Sequence, residues 1–180
     1  MRQSLTYQTS FIKDSYSIFS DEKQVGKLFK KEWLGSTIET SMNGHKFIFV
    51  SKGFFNPIVL VIDKATQKTI GTIAIKDLRI YPFAILILVN NQQFRWTSGG
   101  VFSHDWKWQD LSNGQTVINS NESLNLFRQN GMISITRKNK QQELLIALGI
   151  HLRNVIQRKA LLAKVLGLIV GALLIWQLFA

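Results

Sequence analysis

Apolar and polar residues alternate with a period of two along most of the first 140 positions. SLTYQTSFI puts Leu5, Tyr7, Thr9 and Phe11 on one face; HKFIFVS repeats this with Phe47 and Phe49, QFRWTS with Phe94 and Trp96, and MISITR with Ile133 and Ile135. Successive side chains of a strand point to opposite faces, so these stretches predict half-buried strands. FAILILV, from Phe83 to Val89, has no polar member and predicts a central strand buried on both faces. Asn43-Gly44, Asn90-Asn91, Asn113-Gly114 and Asn130-Gly131 stand between the runs. Asn and Gly tolerate the positive φ of tight turns, and each pair predicts a hairpin between antiparallel neighbours. Nothing before Lys140 has a helical period.

Some of these segments repeat. YSIFSDEKQVGKLF, LVIDKATQKTIGTIAI and WKWQDLSNGQTVI share a strand, an Asp-led turn and a strand resuming on Val or Ile. MNGHKFIFVSKGFFN matches VNNQQFRWTSGGVFS, with Asn43, Phe47, Phe49, Ser51, Gly53 and Phe55 answering Asn90, Phe94, Trp96, Ser98, Gly100 and Phe102 at a constant offset of 47. QNGMISITRKN is a weaker echo. Each unit is a meander of roughly four strands, too small to bury its own apolar face, so two or three must close around a shared core.

The pattern changes after Lys140. In QQELLIALGIHLRNVIQRKA, Leu144, Leu145, Leu148, Leu152, Val155 and Ile156 fall at helical spacing, while Ile146, Ala147, Gly149 and Ile150 make the other side apolar too. A helix over 142–157 with no polar face in its first turns needs burial all round, and Arg153 interrupts it too early for a bilayer. The interior of a barrel would serve. The expected fold is therefore mainly β, with two or three meanders closing around this helix.

The repeated strand, Asp-turn, Val/Ile-Gly units (Asp21 to Gly26, Asp63 to Gly71), the SKGFF and SGGVF corners and the closing ELLIALGIHL together resemble the tubby C-terminal-like family, which includes the phospholipid scramblases and the plant LURP-one-related proteins. The likeness covers about residues 5–157. It implies a closed antiparallel barrel of about twelve strands around a central hydrophobic helix and, from the tubby members, binding of phosphoinositide headgroups through basic side chains. The calcium-binding segment attributed to scramblases has no acidic counterpart in this chain.

A second apolar stretch follows a basic linker at 158–160. Residues 161–180 number twenty, about 30 Å of helix and the thickness of a hydrocarbon core. Lys164 lies near one end, where its ammonium can snorkel, and Trp176 near the other, where interfacial aromatic residues gather. Arg153, Arg158, Lys159 and Lys164 precede or begin the stretch, and no charge follows Lys164. The expectation is a single-pass tail anchor with the barrel on the cytoplasmic side. Gly167 and Gly171 form a small-xxx-small match that would permit weak self-association.

Composition narrows the partners. The net charge is +11, with 22 Lys and Arg against 11 Asp and Glu, and the excess is spread along the chain. Such a balance suits an anionic surface. No helix-turn-helix, zinc-ligand spacing, RRM-like signature or Arg-rich arm is present to read nucleic acid, so phospholipid is the expected surface. The absence of cysteine excludes disulfides and thiolate metal sites. The N-terminal residues have no apolar run of signal-peptide length.

Candidate chemistry is sparse. Ser103, His104 and Asp105 have the letters of a triad, but adjacent residues on a strand alternate faces, and SHDW reads as a polar turn. His45, His104 and His151 have no neighbouring ligand pattern, so neither a metal, a cofactor nor a catalytic residue is expected. GKLFKKEW mixes Lys27, Lys30 and Lys31 with Leu28, Phe29 and Trp33, a combination suited to anionic headgroups and an interface. With Arg158 and Lys159 these are the candidate lipid-binding residues. The expected role is a membrane-tethered, non-enzymatic binding module; a scaffold docking a protein partner in the membrane and a scramblase-like lipid transporter are the alternatives.

Overall fold

The period-two stretches form strands and the turn signals join them into one ring. The computed structural model describes residues 3–10, 15–30, 37–53, 58–76, 81–100, 103, 105–125 and 128–179; the side chains of 3, 10, 30, 122–125, 128–129, 160–167 and 169–179 are outside the described set. The strands are β1 (Gln3–Ser10), β2 (Ser15–Ser20), β3 (Lys23–Lys30), β4 (Thr37–Met42), β5 (His45–Lys52), β6 (Ile58–Asp63), β7 (Thr69–Lys76), β8 (Phe83–Leu88), β9 (Gln93–Ser98), β10 (Trp106–Asp110), β11 (Thr116–Asn125) and β12 (Arg128–Ile135). Each pairs antiparallel with its neighbours in sequence, and β1 pairs with β12 to close the barrel.

The repeat is visible in the geometry. Three hairpins, β2–β3, β6–β7 and β10–β11, each carry a register shift, after Ile18, Val61 and Trp108 respectively. All three residues are fully buried, and a bulge at such a place bends the wall around the core. In two of the three following turns the aspartate acts as the sequence suggested: Asp63 Oδ1 accepts from Thr66 N at 2.8 Å, and Asp110 Oδ1 from Ser112 N at 2.9 Å. The donated N–H of Thr66 holds the Asp63 carboxyl below its usual range. The matched pairs Phe47/Phe94 and Phe49/Trp96 all point into the core. Each hairpin opens a unit of four strands, and the third unit is completed by β1 from the start of the chain.

Two strand expectations need correction. Asn130-Gly131 is not a turn: both residues lie within β12, paired with β1 and β11. Glycine stands there for space, because a Cβ at position 131 would lie 2.2 Å from ring carbons of Tyr7. Gly131→Ala is accordingly expected to lower stability by about 1–3 kcal/mol. Thermal unfolding should record the loss, and Tyr7→Leu in the same chain should reduce it. The second correction concerns β8. Only its inward positions Ala84, Leu86 and Leu88 are buried, while Ile87 is 48% exposed. A barrel wall has one dry face, and here the other is also apolar, with the Arg95 guanidinium lying 4.7 Å from the Phe83 ring centre.

One helix, α1 (Gln142–Phe179), follows. Gln141 N donates to Asn139 Oδ1 at 2.8 Å just before it, and Glu143 lies in its first turn, where the helix dipole favours a carboxylate. Residues 144–153 are all buried. The helix contacts β4 and β10, which stand on opposite sides of the ring, so this segment crosses the lumen. Gly149 lies under Trp106, and a Cβ there would be 2.4 Å from the indole. The expected central helix is thus present. The expected break after it is not, because 158–160 is helical and α1 runs unbroken for 38 residues, about 57 Å.

Candidate functional site

The direction of α1 through the barrel determines which residues can serve a common surface. At its start, Glu143 Oε1 accepts from Asn43 Nδ2 at 2.8 Å and Oε2 lies 3.5 Å from His45 Nε2, both at the β4–β5 turn. Further on, the His151 ring lies 5.4 Å from Phe49, and its Nε2 is 3.4 Å from Ser51 Oγ. The helix therefore runs in the direction of β5 and leaves where β5 finishes.

Lys27 and Phe29 lie toward this exit end on the outer face of β3 and are exposed. Leu28 points the other way and is 2% exposed, so it belongs to the core and is no part of a surface patch. Lys30 closes β3 with its side chain outside the described residues, and Lys31 and Trp33 are also outside them. Arg158 and Lys159 are on α1, both partly buried, with Arg158 Nε donating to Asn154 Oδ1 at 3.0 Å. Partial burial pushes the Lys159 ammonium below its ordinary value. These two cations of the expected basic linker lie on α1 itself. Arg153, one turn deeper, is buried at 2% exposure. With the Gln157 amide oxygen turned towards it, that oxygen accepts from Arg153 Nη2 at 2.7 Å.

Sequence reading missed further outward residues at the same end. Lys52 and Ile58 are cross-strand partners on β5 and β6, both exposed; Lys76 closes β7, also exposed, and Tyr81 precedes β8. No local signal marks them, because their common side follows only from the helix direction. In the interior, His151 is the buried titratable ring of the lumen. Burial, reinforced by repulsion from Arg158, pushes it from 6.5 to about 4.

The SHDW segment behaves as a turn where it is described: Ser103 Oγ accepts from Asp105 N at 3.2 Å, and Trp106 points into the core. His104 lies outside the described residues. Among the described residues no three His, Cys, Asp or Glu side chains gather as a metal site would require. Also among the described residues, no helix is long and apolar enough to cross a membrane. The side chains of the expected span 161–180, including Gly167 and Gly171, lie outside them except for exposed Leu168.

Fold and site define a class: among the described residues, a closed twelve-stranded antiparallel barrel with one helix through it, and exposed apolar side chains at both ends, Phe29, Ile58 and Tyr81 where the helix leaves and Ile87, Val89 and Leu111 at the other. No protein-family profile, curated protein or solved structure matches the chain.

Proposed function

We propose that this protein is a membrane-tethered, non-enzymatic binding module of tubby-like type, whose barrel is held at the cytoplasmic face of a bilayer and engages anionic phospholipid. One observation carries the reading: the helix enclosed by the barrel continues without a break through 161–179. In sequence that continuation is apolar apart from Lys164 and Gln177, and long enough to span about 30 Å. A span of this kind keeps Lys164 near the headgroups, where the cost of about 2.5–3.5 kcal/mol for a lysine at mid-bilayer is avoided. Arg153, Arg158, Lys159 and Lys164 on the barrel side favour a cytoplasmic barrel. Lys27, Lys30, Lys31, Trp33, Arg158 and Lys159 are the proposed lipid contacts, each exposed lysine near the surface contributing about 1 kcal/mol.

Alkaline extraction of expressed membranes tests the tether. Full-length chain is expected in the pellet and a chain ending at Lys159 in the supernatant; equal release of both would exclude the span. Charge recognition is tested by flotation of the shortened chain with vesicles. Retention that grows with acidic lipid and fades with salt is expected. Binding indifferent to both would favour a scaffold that docks a membrane protein.

A further inference from the structure

We infer that the outer face of β5–β8 is a docking surface for an acidic amphipathic segment of a partner protein, whose apolar stripe covers the wall and whose carboxylates meet the cations at its edges. The existence of the surface does not depend on the tethering reading above; the choice of protein over lipid as its occupant does.

An antiparallel wall with water on one side alternates apolar inward and polar outward residues. Four neighbouring strands depart from this. Val59 and Val61 of β6 and Leu86 of β8 face the lumen and are fully buried, so the positions alternating with them face out. Those positions hold Ile58, Leu60 and Ile62 on β6 and Phe83, Ile85 and Ile87 on β8, with Ile58 43% and Ile87 48% exposed and the rest half-buried. Cross-strand pairs make them continuous: Ile48 and Val50 of β5 stand beside Ile62 and Leu60, and Ala74 of β7 stands between Ile58 and Ile85. Across the ring, β11, β12 and β1 turn Asn119, Asn121, Ser134, Thr6 and Gln8 outward, with Met132 the one large apolar side chain on that face among the described residues. An apolar sheet face is ordinarily covered by a further layer of structure. The chain's own buried helix segment lies on the other side of this wall, in the lumen.

Charge at the edges selects the occupant. Lys46 and Lys52 stand near the two ends of β5, Lys76 closes β7, and Arg95 of β9 lies beside Ile85 with its guanidinium 4.7 Å from the Phe83 ring centre; all four are exposed. Among the described residues none of them is paired with a carboxylate. The neighbouring carboxylates are engaged: Glu39, beside Ile48, pairs with Lys64, and Asp63 accepts from Thr66 within its own turn. An apolar centre edged by cations repels a second copy of itself and attracts acidic side chains. Size agrees. Three inter-strand spacings and five residues of strand measure about 14 Å by 13 Å, on the order of 400 Å² with the side chains. A stable dimer buries about 800 Å² on each partner, whereas a helix of three turns, about 16 Å long, matches the wall. Lipid is excluded by orientation. α1 runs along β5 inside the barrel and continues without a break, so a helix that enters the bilayer end-on holds this wall upright, away from the headgroups.

The chain has no cysteine, so single labels can be placed cleanly. Full-length Ile87→Cys reports on the wall and Met132→Cys on the far side of the ring. Each is labelled with an environment-sensitive fluorophore and reconstituted in phosphatidylcholine vesicles containing lipid spin-labelled near the headgroup. The probe is a helical peptide of about 14 residues with leucine along one face and glutamate on the other; a peptide with lysine in place of glutamate is its control. The acidic peptide is expected to reduce iodide quenching at 87 at least twofold and leave 132 unchanged, and the basic peptide to do neither. With Lys52→Glu and Arg95→Glu together in the labelled chain, the preference between the two peptides should reverse. No response at 87, an equal response at 132, or no preference between the peptides overturns the proposal. Quenching at 87 by the lipid before any peptide is added would assign the wall to the bilayer, and shielding at 87 that grows with the number of chains per vesicle would assign it to a second copy; either result overturns it too. A chain that does not float with the vesicles loses the tether, and the same titration in solution then decides the wall by itself.

Discussion

Trp106→Ala is expected to lower the unfolding free energy by about 3–5 kcal/mol, and Gly149→Leu in the same chain to return part of the loss. Trp106 is 2% exposed at the start of β10, and its ring occupies the place where a side chain on residue 149 would stand. Removing the indole leaves a hole between the wall and the helix. A ring closed by hydrogen-bonded strands on every side cannot collapse to fill it. Gly149→Leu alone should destabilise the fold strongly, since its Cβ would start 2.4 Å from the ring. In the Trp106→Ala chain the same leucine gains room and is also the better helix former by nearly 1 kcal/mol. Denaturant midpoints for the four members of this cycle are the measurement. Additive losses would mean that the two positions do not share the space.

Acidification from pH 6.5 to pH 4 is expected to cost about 3 kcal/mol through His151 alone. Its folded value of about 4 lies below the ordinary 6.5, so the unfolded chain binds the proton more readily. Stability on this account is complete above pH 6.5 and is lost as the pH falls toward 4. The cause is local. The ring is buried beside Phe49, its Nε2 faces Ser51, and its Nδ1 has no partner among the described residues, so a second N–H would gain no acceptor. His151→Gln does not titrate and should flatten the profile between pH 6.5 and 5, where most carboxylates stay ionised in both states. An unchanged slope in that variant would assign the acid sensitivity elsewhere.

What could be read from the chain follows from how local each cause is. Alternation identified the wall wherever one face is wet, as in HKFIFVS and QFRWTS. The all-round apolar face of Leu144 to Leu152 identified the residues that fill it. FAILILV misled because period alone cannot tell a second dry face from an apolar outer one, and Ile87 is in fact open to solvent. Gly131 misled because its reason is Tyr7, far away in sequence. The basic residues at 153, 158 and 159 suggested a break, yet Arg and Lys are good helix formers and neither Gly nor Pro stands between 150 and 166. Of the lysines of GKLFKKEW, Lys27 was legible as an outward strand residue, while the side chains of Lys30 and Lys31 lie outside the described set. Lys52, Ile58 and Tyr81 were not legible as a set, because which end of the ring they share is decided by Glu143 meeting Asn43.

The order of elements along α1 and the wall also bears on biosynthesis. All twelve strands leave the ribosome before the segment that fills their lumen. A nascent sheet would hold Trp96, Trp106 and Trp108 around an empty centre until 142–156 is released, a state inviting aggregation or chaperone capture. Final closure must therefore follow translation of the plug, so the wall and its filling cannot be completed in the order in which they are made.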